Sequence, residues 1–154
     1  EIHGEIKREL GKIWRIGLGE LYAYLHLLAA SAQVEGQMVA SPDGPSRKVY
    51  NITPLGKTNF IEWLKQPCAH KLCTRNEFLT RVYFYHRLGL AGLDQLVDQQ
   101  KSALISRHNA IKQRINQTGD DFDRLVLEYR QGQVEAILNW LNSCCDFSTS
   151  STSD

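Results

Sequence analysis

Two short apolar stripes separated by Gly17-Leu18-Gly19 constrain the start of this chain more than any other feature. Ile2, Ile6, Leu10 and Ile13 recur at steps of four, four and three, the period of one face of an α-helix, with Glu5, Lys7, Arg8 and Glu9 left outside. This predicts a helix running to about Gly11. A second stripe, Leu21, Leu25, Leu28 and Ala32, follows the glycine-containing turn at the same kind of spacing. Neither helix can bury its face alone, so the pair must fold onto each other as a helix-turn-helix outline.

The pattern then changes period. Val34 to Ala40 and Arg47 to Thr53 flank a turn-rich Ser41-Pro42-Asp43-Gly44-Pro45-Ser46, and Tyr50 and Ile52 share one face, which predicts a β-hairpin. Thr53-Pro54 is a helix start with Thr as N-cap and Pro in the first turn, leading into Leu55 to Leu64. Beyond Pro67 the chain reads as helical throughout: Arg75 to Leu88, a Gly89-Leu90-Ala91-Gly92 break, a long helix to Gln117, and a last helix capped by Asp120 or Asp121.

The helix from Leu93 would span on the order of 35 Å, more than the diameter of a small domain, so its stripe needs a partner along its length. Part of the cover is expected from the last helix, and the rest from a second copy of the chain. The residues expected at this homodimer seam are Leu93, Leu96, Val97, Leu104, Ile111, Leu125, Val126, Tyr129, Ile137, Trp140 and Leu141. Residues 1–65 form the first expected domain, 66–147 a helical dimerisation and effector domain, and the Ser/Thr-rich residues 148–154 a disordered tail.

Composition excludes several classes. The net charge is +1, with eight basic and seven acidic side chains in residues 1–65 and ten of each in the remainder, so no half is a polycation. The longest apolar stretch, Leu25 to Ala30, is interrupted by His26 and is far short of the roughly 20 residues of a membrane span. Glu1 heads the chain without a Met or a basic-then-apolar leader, so no secretory signal is expected, a trimmed start is, and the four cysteines read as reduced cytoplasmic thiols. Cys68-x4-Cys73 around His70 lacks the close spacing and second pair of a zinc site. Gly17-Leu18-Gly19 has neither the preceding strand nor the third glycine of a dinucleotide fingerprint. Asp120, Asp121 and Asp123 stand at a helix start, where carboxylates cap amides. With no histidine metal pair, serine elbow or P-loop, the expectation is a non-enzymatic protein without cofactor or metal. The aromatic run Val82-Tyr83-Phe84-Tyr85-His86, with Trp140, reads first as core packing and second as the lining of an aromatic ligand cavity.

The string Val49-Tyr50-Asn51-Ile52-Thr53-Pro54-Leu55-Gly56 followed by Trp63-Leu64, together with Ile13-Trp14-Arg15-Ile16, Leu21-Tyr22, Asn76-Glu77-Phe78 and Asn139-Trp140-Leu141, resembles the PadR-like family of bacterial transcription regulators, in its subgroup with the larger C-terminal domain. The resemblance implies a mainly α fold: a winged helix-turn-helix, followed by a helical dimerisation domain. It further implies a dimer that binds double-stranded operator DNA and, in some members, responds to a small aromatic or hydrophobic effector. It also implies one more helix ahead of Glu1, missing from this sequence. Where the family commonly places a Lys-Arg pair and an acidic run ending in Gly, this chain has His26-Leu27 and Ala29-Ala30-Ser31-Ala32.

With Leu21, Leu25, Leu28 and Ala32 buried, a rotation of about 100° per residue puts Gly19, Ala23, His26 and Ala30 on the opposite side, with Tyr22 at its edge. The DNA-contacting residues expected from this phase are Gly19, Tyr22, Ala23 and His26, with Arg15 before the turn and Arg47 and Lys48 in the wing as phosphate contacts. The competing expectation is a protein-interaction module, in which the wing and long helices survive as a dimeric scaffold and the second helix binds protein.

Overall fold

The computed structural model describes residues 1–41, 44–68 and 73–150, excluding the side chains of 41, 73–75 and 145–150. The chain divides into two compact units, Glu1–Gln66 and Pro67–Asp154. The first holds α1 (Ile2–Leu10), α2 (Leu18–Ala30), β1 (Val34–Ser41), β2 (Gly44–Ile52) and α3 (Pro54–Lys65). The second holds α4 (Cys73–Leu88), α5 (Leu93–Gln117) and α6 (Asp121–Ser150).

In the first unit, α1 ends in a tight turn in which the Ile13 and Trp14 amides both donate to the Leu10 carbonyl, at 2.8 and 3.0 Å. Leu10, Leu21 and Leu25 form the buried meeting point of the two stripes. The second stripe departs from its expected course beyond Leu25. Leu28 is 36% exposed and Ala29 is the more covered of the two, while Ala32 lies past the helix end. The buried line therefore advances by fours, Leu21, Leu25, Ala29. Because α2 is apolar on nearly every side, its hydropathy pattern could not fix that rotation.

Past the α2 end, Ala32 takes a left-handed φ of 56°, a conformation that strains an L-residue with a Cβ. The turn redirects the chain into β1, which pairs antiparallel with β2 from Val34↔Ile52 to Ser41↔Gly44, with an irregularity between Val39 and Ser41. The hairpin is exposed over most of its length, and only its root packs down through Val34, Val49 and Tyr50. Pro42 and Asp43 of the expected turn lie outside the described residues.

Thr53 ties this unit together. Its backbone amide donates to the Gln33 carbonyl at 3.0 Å, its hydroxyl donates to the Ala32 carbonyl at 2.7 Å, and the same oxygen accepts the Gly56 amide at 3.0 Å as N-cap of α3. Gly56 comes so close to this junction that a Cβ there would stand 2.0 Å from the Gln33 carbonyl oxygen. Only glycine fits the contact.

In the second unit, α4 buries Phe78, Arg81 and Tyr85 on one face, and α5 buries Leu93, Leu96, Val97, Gln100, Leu104 and Ile111. The cover for α5 is α6 of the same chain. The buried line on α6 is Leu127, Val134, Leu141 and Cys144, with Gln131 and Leu138 half-buried between them. This corrects the expected seam. Leu93, Leu96, Val97, Leu104, Ile111 and Leu141 lie in the interior of one chain, and the expectation that one chain cannot cover them does not hold. Val126, Ile137 and Trp140 are half-buried. Leu125 and Tyr129 are 62% and 69% exposed and, with Phe122 at 72%, form a separate outward stripe. The physical reason is that α6 carries two apolar lines, since Leu125 and Leu127 are about 200° apart on a helix, and periodicity alone merges them.

Asp120 is the cap of α6, accepting the Asp123 amide at 2.7 Å. The helix continues through Ser150, into the Ser/Thr-rich segment expected to be disordered, because extending an existing helix adds a backbone bond per residue without a new nucleus. Residues 151–154 lie outside the described ones.

Candidate nucleic-acid interface

The candidate interface is built on α1, the turn, α2 and the wing. His3, in the first turn of α1, hydrogen-bonds through Nε2 to the Ile16 carbonyl at 2.9 Å and so anchors the segment between the two helices. That segment carries Arg15, which is exposed, and leads to Gly17, the extended N-cap residue of α2. Gly19 therefore belongs to the first turn of α2 rather than to the break before it.

A cleft of about 930 Å³ lies between α1, α2 and β2. Its apolar part comes from Ile6, Leu21, Leu25 and Val49, and its rim carries Tyr22, His26, Arg47, Lys48 and Tyr50. Four of the expected contact residues, Tyr22, His26, Arg47 and Lys48, are thus brought around one concave surface, and all four are exposed. Gly19 and Ala23 are exposed as well, farther around the helix toward its outer side. Arg15 does not line the cleft and stands in the turn ahead of α2.

The two wing cations are held differently. The Lys48 ammonium sits 5.1 Å from the centre of the Tyr50 ring, a cation–π contact that restricts a flexible side chain. The Arg47 guanidinium meets the Glu1 carboxylate at 3.3 Å, with both groups largely in water. Such an exposed ion pair contributes little, so a phosphate can displace Glu1 at small cost.

Sequence reasoning passed over Leu27. It is 65% exposed on the outer side of α2, close to Ala23 and Ala30 in helical phase. That position lies away from the core under either rotation of the helix, in nearly the same phase as Glu20 seven residues earlier. Glu20 is the one formally charged side chain on α2.

The alternative chemistries fare differently. Cys68 is buried, accepts a hydrogen bond from Arg81 Nη1 at 3.3 Å, and has its backbone amide held by Gln100 Oε1 at 2.7 Å. Arg81 also pairs with Glu77. A guanidinium against the sulfur is the wrong neighbour for a metal ligand. His70 and the Cys73 side chain of that half-site lie outside the described residues. Among the described residues there is no group of three or more His, Cys, Asp or Glu placed to hold a metal. Phe78 and Trp140 meet edge to face with centroids 6.0 Å apart, and Tyr85, whose phenol burial pushes up against the opposing effect of Arg81, packs inside. Among the described residues no helix is long and apolar enough to cross a membrane.

Comparison with known proteins gives two adjacent family matches. The profile of the Transcriptional regulator PadR-like family matches residues 1–62, and that of the Virulence activator alpha C-term family matches residues 74–147. No curated protein sequence matches the chain. Similar solved structures include Bacillus subtilis PadR in complex with operator DNA, at 20% identity over 92% of this chain and 84% of that one, with a TM-score of 0.43. The same protein in complex with p-coumaric acid is similar at 21% identity over 92% and 81% of the two chains, with a TM-score of 0.40. A third is smu.1604c from Streptococcus mutans UA159, at 18% identity over 91% and 85%, with a TM-score of 0.40. The chain thus joins a winged helix-turn-helix domain of the PadR-like family of transcriptional regulators, a non-enzymatic family, over α1 to α3 to a Virulence activator alpha C-terminal domain over α4 to α6.

Proposed function

We propose that this chain is a dimeric cytoplasmic regulator that binds double-stranded operator DNA, with α2 in the major groove and the wing along the backbone. The observation that carries the reading is the rim of the cleft, where Tyr22 and His26 of α2 and Arg47 and Lys48 of β2 stand together within the family's DNA-binding unit. In this reading Arg15, Arg47, Lys48 and the Tyr22 hydroxyl contact phosphates, while Gly19, Ala23 and His26 face the bases.

The open stripe Phe122, Leu125 and Tyr129 on α6 supports the dimer, because three large apolar side chains left in water on one helix face are costly unless a partner covers them. Residues 66–147 take the dimerisation role, and we extend the reading to a small aromatic effector of the p-coumaric acid class. What supports that extension is the meeting of Phe78 and Trp140 between α4 and α6. Quenching or enhancement of Trp140 fluorescence on titration with p-coumaric acid checks it.

DNA binding is tested through salt. Changing Arg47 and Lys48 together to Ala should flatten the plot of log affinity against log salt by roughly 0.9 for each phosphate the protein no longer neutralises. An unchanged slope would remove the wing from the interface. The rival reading, a protein-interaction module, is favoured by the exposure of Tyr24, Leu27 and Leu28 on a helix without a cation, and it predicts no salt-dependent association with DNA.

A further inference from the structure

A glycine inside a strand weakens it, having no side chain to pack and more backbone freedom to lose, so Gly36 in the middle of β1 asks for a local reason. Gly36 pairs with Tyr50 across the hairpin, and the next pair on the same face is Met38 with Lys48. Without a Cβ, Gly36 leaves a slot beside the Tyr50 ring, and the Lys48 side chain lies in it. A Cβ at Gly36 would stand 2.5 Å from Lys48 Cε, 3.4 Å from Lys48 Nζ and 3.2 Å from Tyr50 Cε1. The lysine stem thus leans from its own register position, opposite Met38, toward the neighbouring pair, and sets its ammonium 5.1 Å from the ring centre.

Resting on the DNA-binding reading above, we propose that Gly36 is a positioning residue, whose missing side chain seats Lys48 over Tyr50 and so presents the ammonium to a DNA phosphate from one preset place. A free lysine gives up most of its rotamer freedom when it meets a phosphate, whereas this one is already confined by the slot and the ring. Tyr50 is half-buried at the root of the wing, which makes its ring a fixed platform rather than a second moving part. The ammonium carries three N–H donors, so turning one toward the ring leaves others for phosphate oxygens. Lys48 and Tyr50 also stand on the cleft rim that carries Tyr22 and His26, which places the seated charge beside α2.

Gly36→Ala is the test, because the nearest atom in its way is the far end of a flexible side chain and not backbone. Alanine also suits a strand better than glycine, so the hairpin should lose no stability, which circular dichroism and thermal melts verify. In the free protein, proton NMR reads the seat directly: the Tyr50 ring shifts the Lys48 ε-protons upfield, and Gly36→Ala should return them to the position of an unhindered lysine. The full chain is then titrated with a mixed-sequence duplex of about 30 base pairs at several salt concentrations. Gly36→Ala should weaken binding about threefold per subunit and leave the slope of log affinity against log salt unchanged, because Lys48 keeps its charge and loses only its placement. Lys48→Ala should weaken binding and flatten the slope by roughly 0.9 for each lost phosphate contact, and adding Gly36→Ala to it should change nothing more. Lys48 ε-protons without an upfield shift in the unchanged protein, or with one that persists in Gly36→Ala, overturn the seat. Unchanged or tighter binding by Gly36→Ala overturns the positioning role and leaves DNA binding standing, as does an equal loss from Gly36→Ala in the Lys48→Ala background. Absence of salt-dependent binding by the unchanged protein overturns the DNA-binding reading and this proposal with it.

Discussion

At the scale of single residues, the junction of α2, the wing and α3 is where small changes should matter most. Gly56→Ala would drive a methyl group into the Gln33 carbonyl, and because that oxygen belongs to backbone held by Thr53, neither side can yield cheaply. The cost should be about 3 kcal/mol, read as a lower urea midpoint for the first unit. Ala32→Gly should act in the other direction. Its φ of 56° is a strain that glycine does not feel, so the substitution should stabilise by about 1 kcal/mol in the same measurement. The string from Val49 to Gly56 is the most informative part of the sequence, and the structure shows why. Thr53, Pro54 and Gly56 each answer a separate demand of one crowded turn, a cap, a preset φ and a missing Cβ, and few other residues meet any of the three.

At the scale of elements, α6 shows what hydrophobic periodicity leaves open. The existence and limits of the helices are legible from stripes, breaks and caps, whereas rotation is legible only where one side of a helix is polar. On α6 the two lines through Leu127 and Leu125 differ in kind, and substitution should separate them. Val134→Asp should unfold the second unit, because it puts an unpaired carboxylate among Leu127, Leu141 and the α5 side chains. Leu125→Asp should leave the helical signal intact and shift the protein toward monomer in light scattering. A dimer unaffected by it would place the seam elsewhere.

The same pair of helices is linked by His108 Nε2 and Glu135 Oε1 at 2.8 Å, with Gln131 Nε2 donating to the same carboxylate oxygen at 2.9 Å. The His108 contact, then that of Gln131, holds the Glu135 carboxyl below the usual carboxylate range. A carboxyl depressed in the folded state adds stability above its unfolded pKa of about 4.3 and loses it as pH falls through the folded value. Thermal melts of the unchanged protein and of Glu135→Gln should therefore differ most at pH 5.5, with the difference shrinking as the pH falls below the usual carboxylate range.

For the whole molecule, the two family matches meet close to the division between the compact units at Gln66 and Pro67, so each unit coincides with one recognisable inheritance. The order of elements among the described residues follows from the sequence because each boundary carries a local signal, such as Thr53-Pro54 or the Gly92 that opens α5 at a φ of 97°. The rotation of α2 is harder. The expected stripe takes Leu28 into the core where the fold covers Ala29 instead, and in a helix apolar on nearly every side only the folded neighbours decide between them.

Thr53 holds the carbonyls of Ala32 and Gln33, where α2 has ended and β1 is about to start, while also opening α3. Mechanically this makes α3 a lever with its fulcrum at the root of both α2 and the wing. A tilt of α3 pulls on the exit of α2 and on the base of the wing together, so a signal can change the spacing between them without touching any residue that meets the outside.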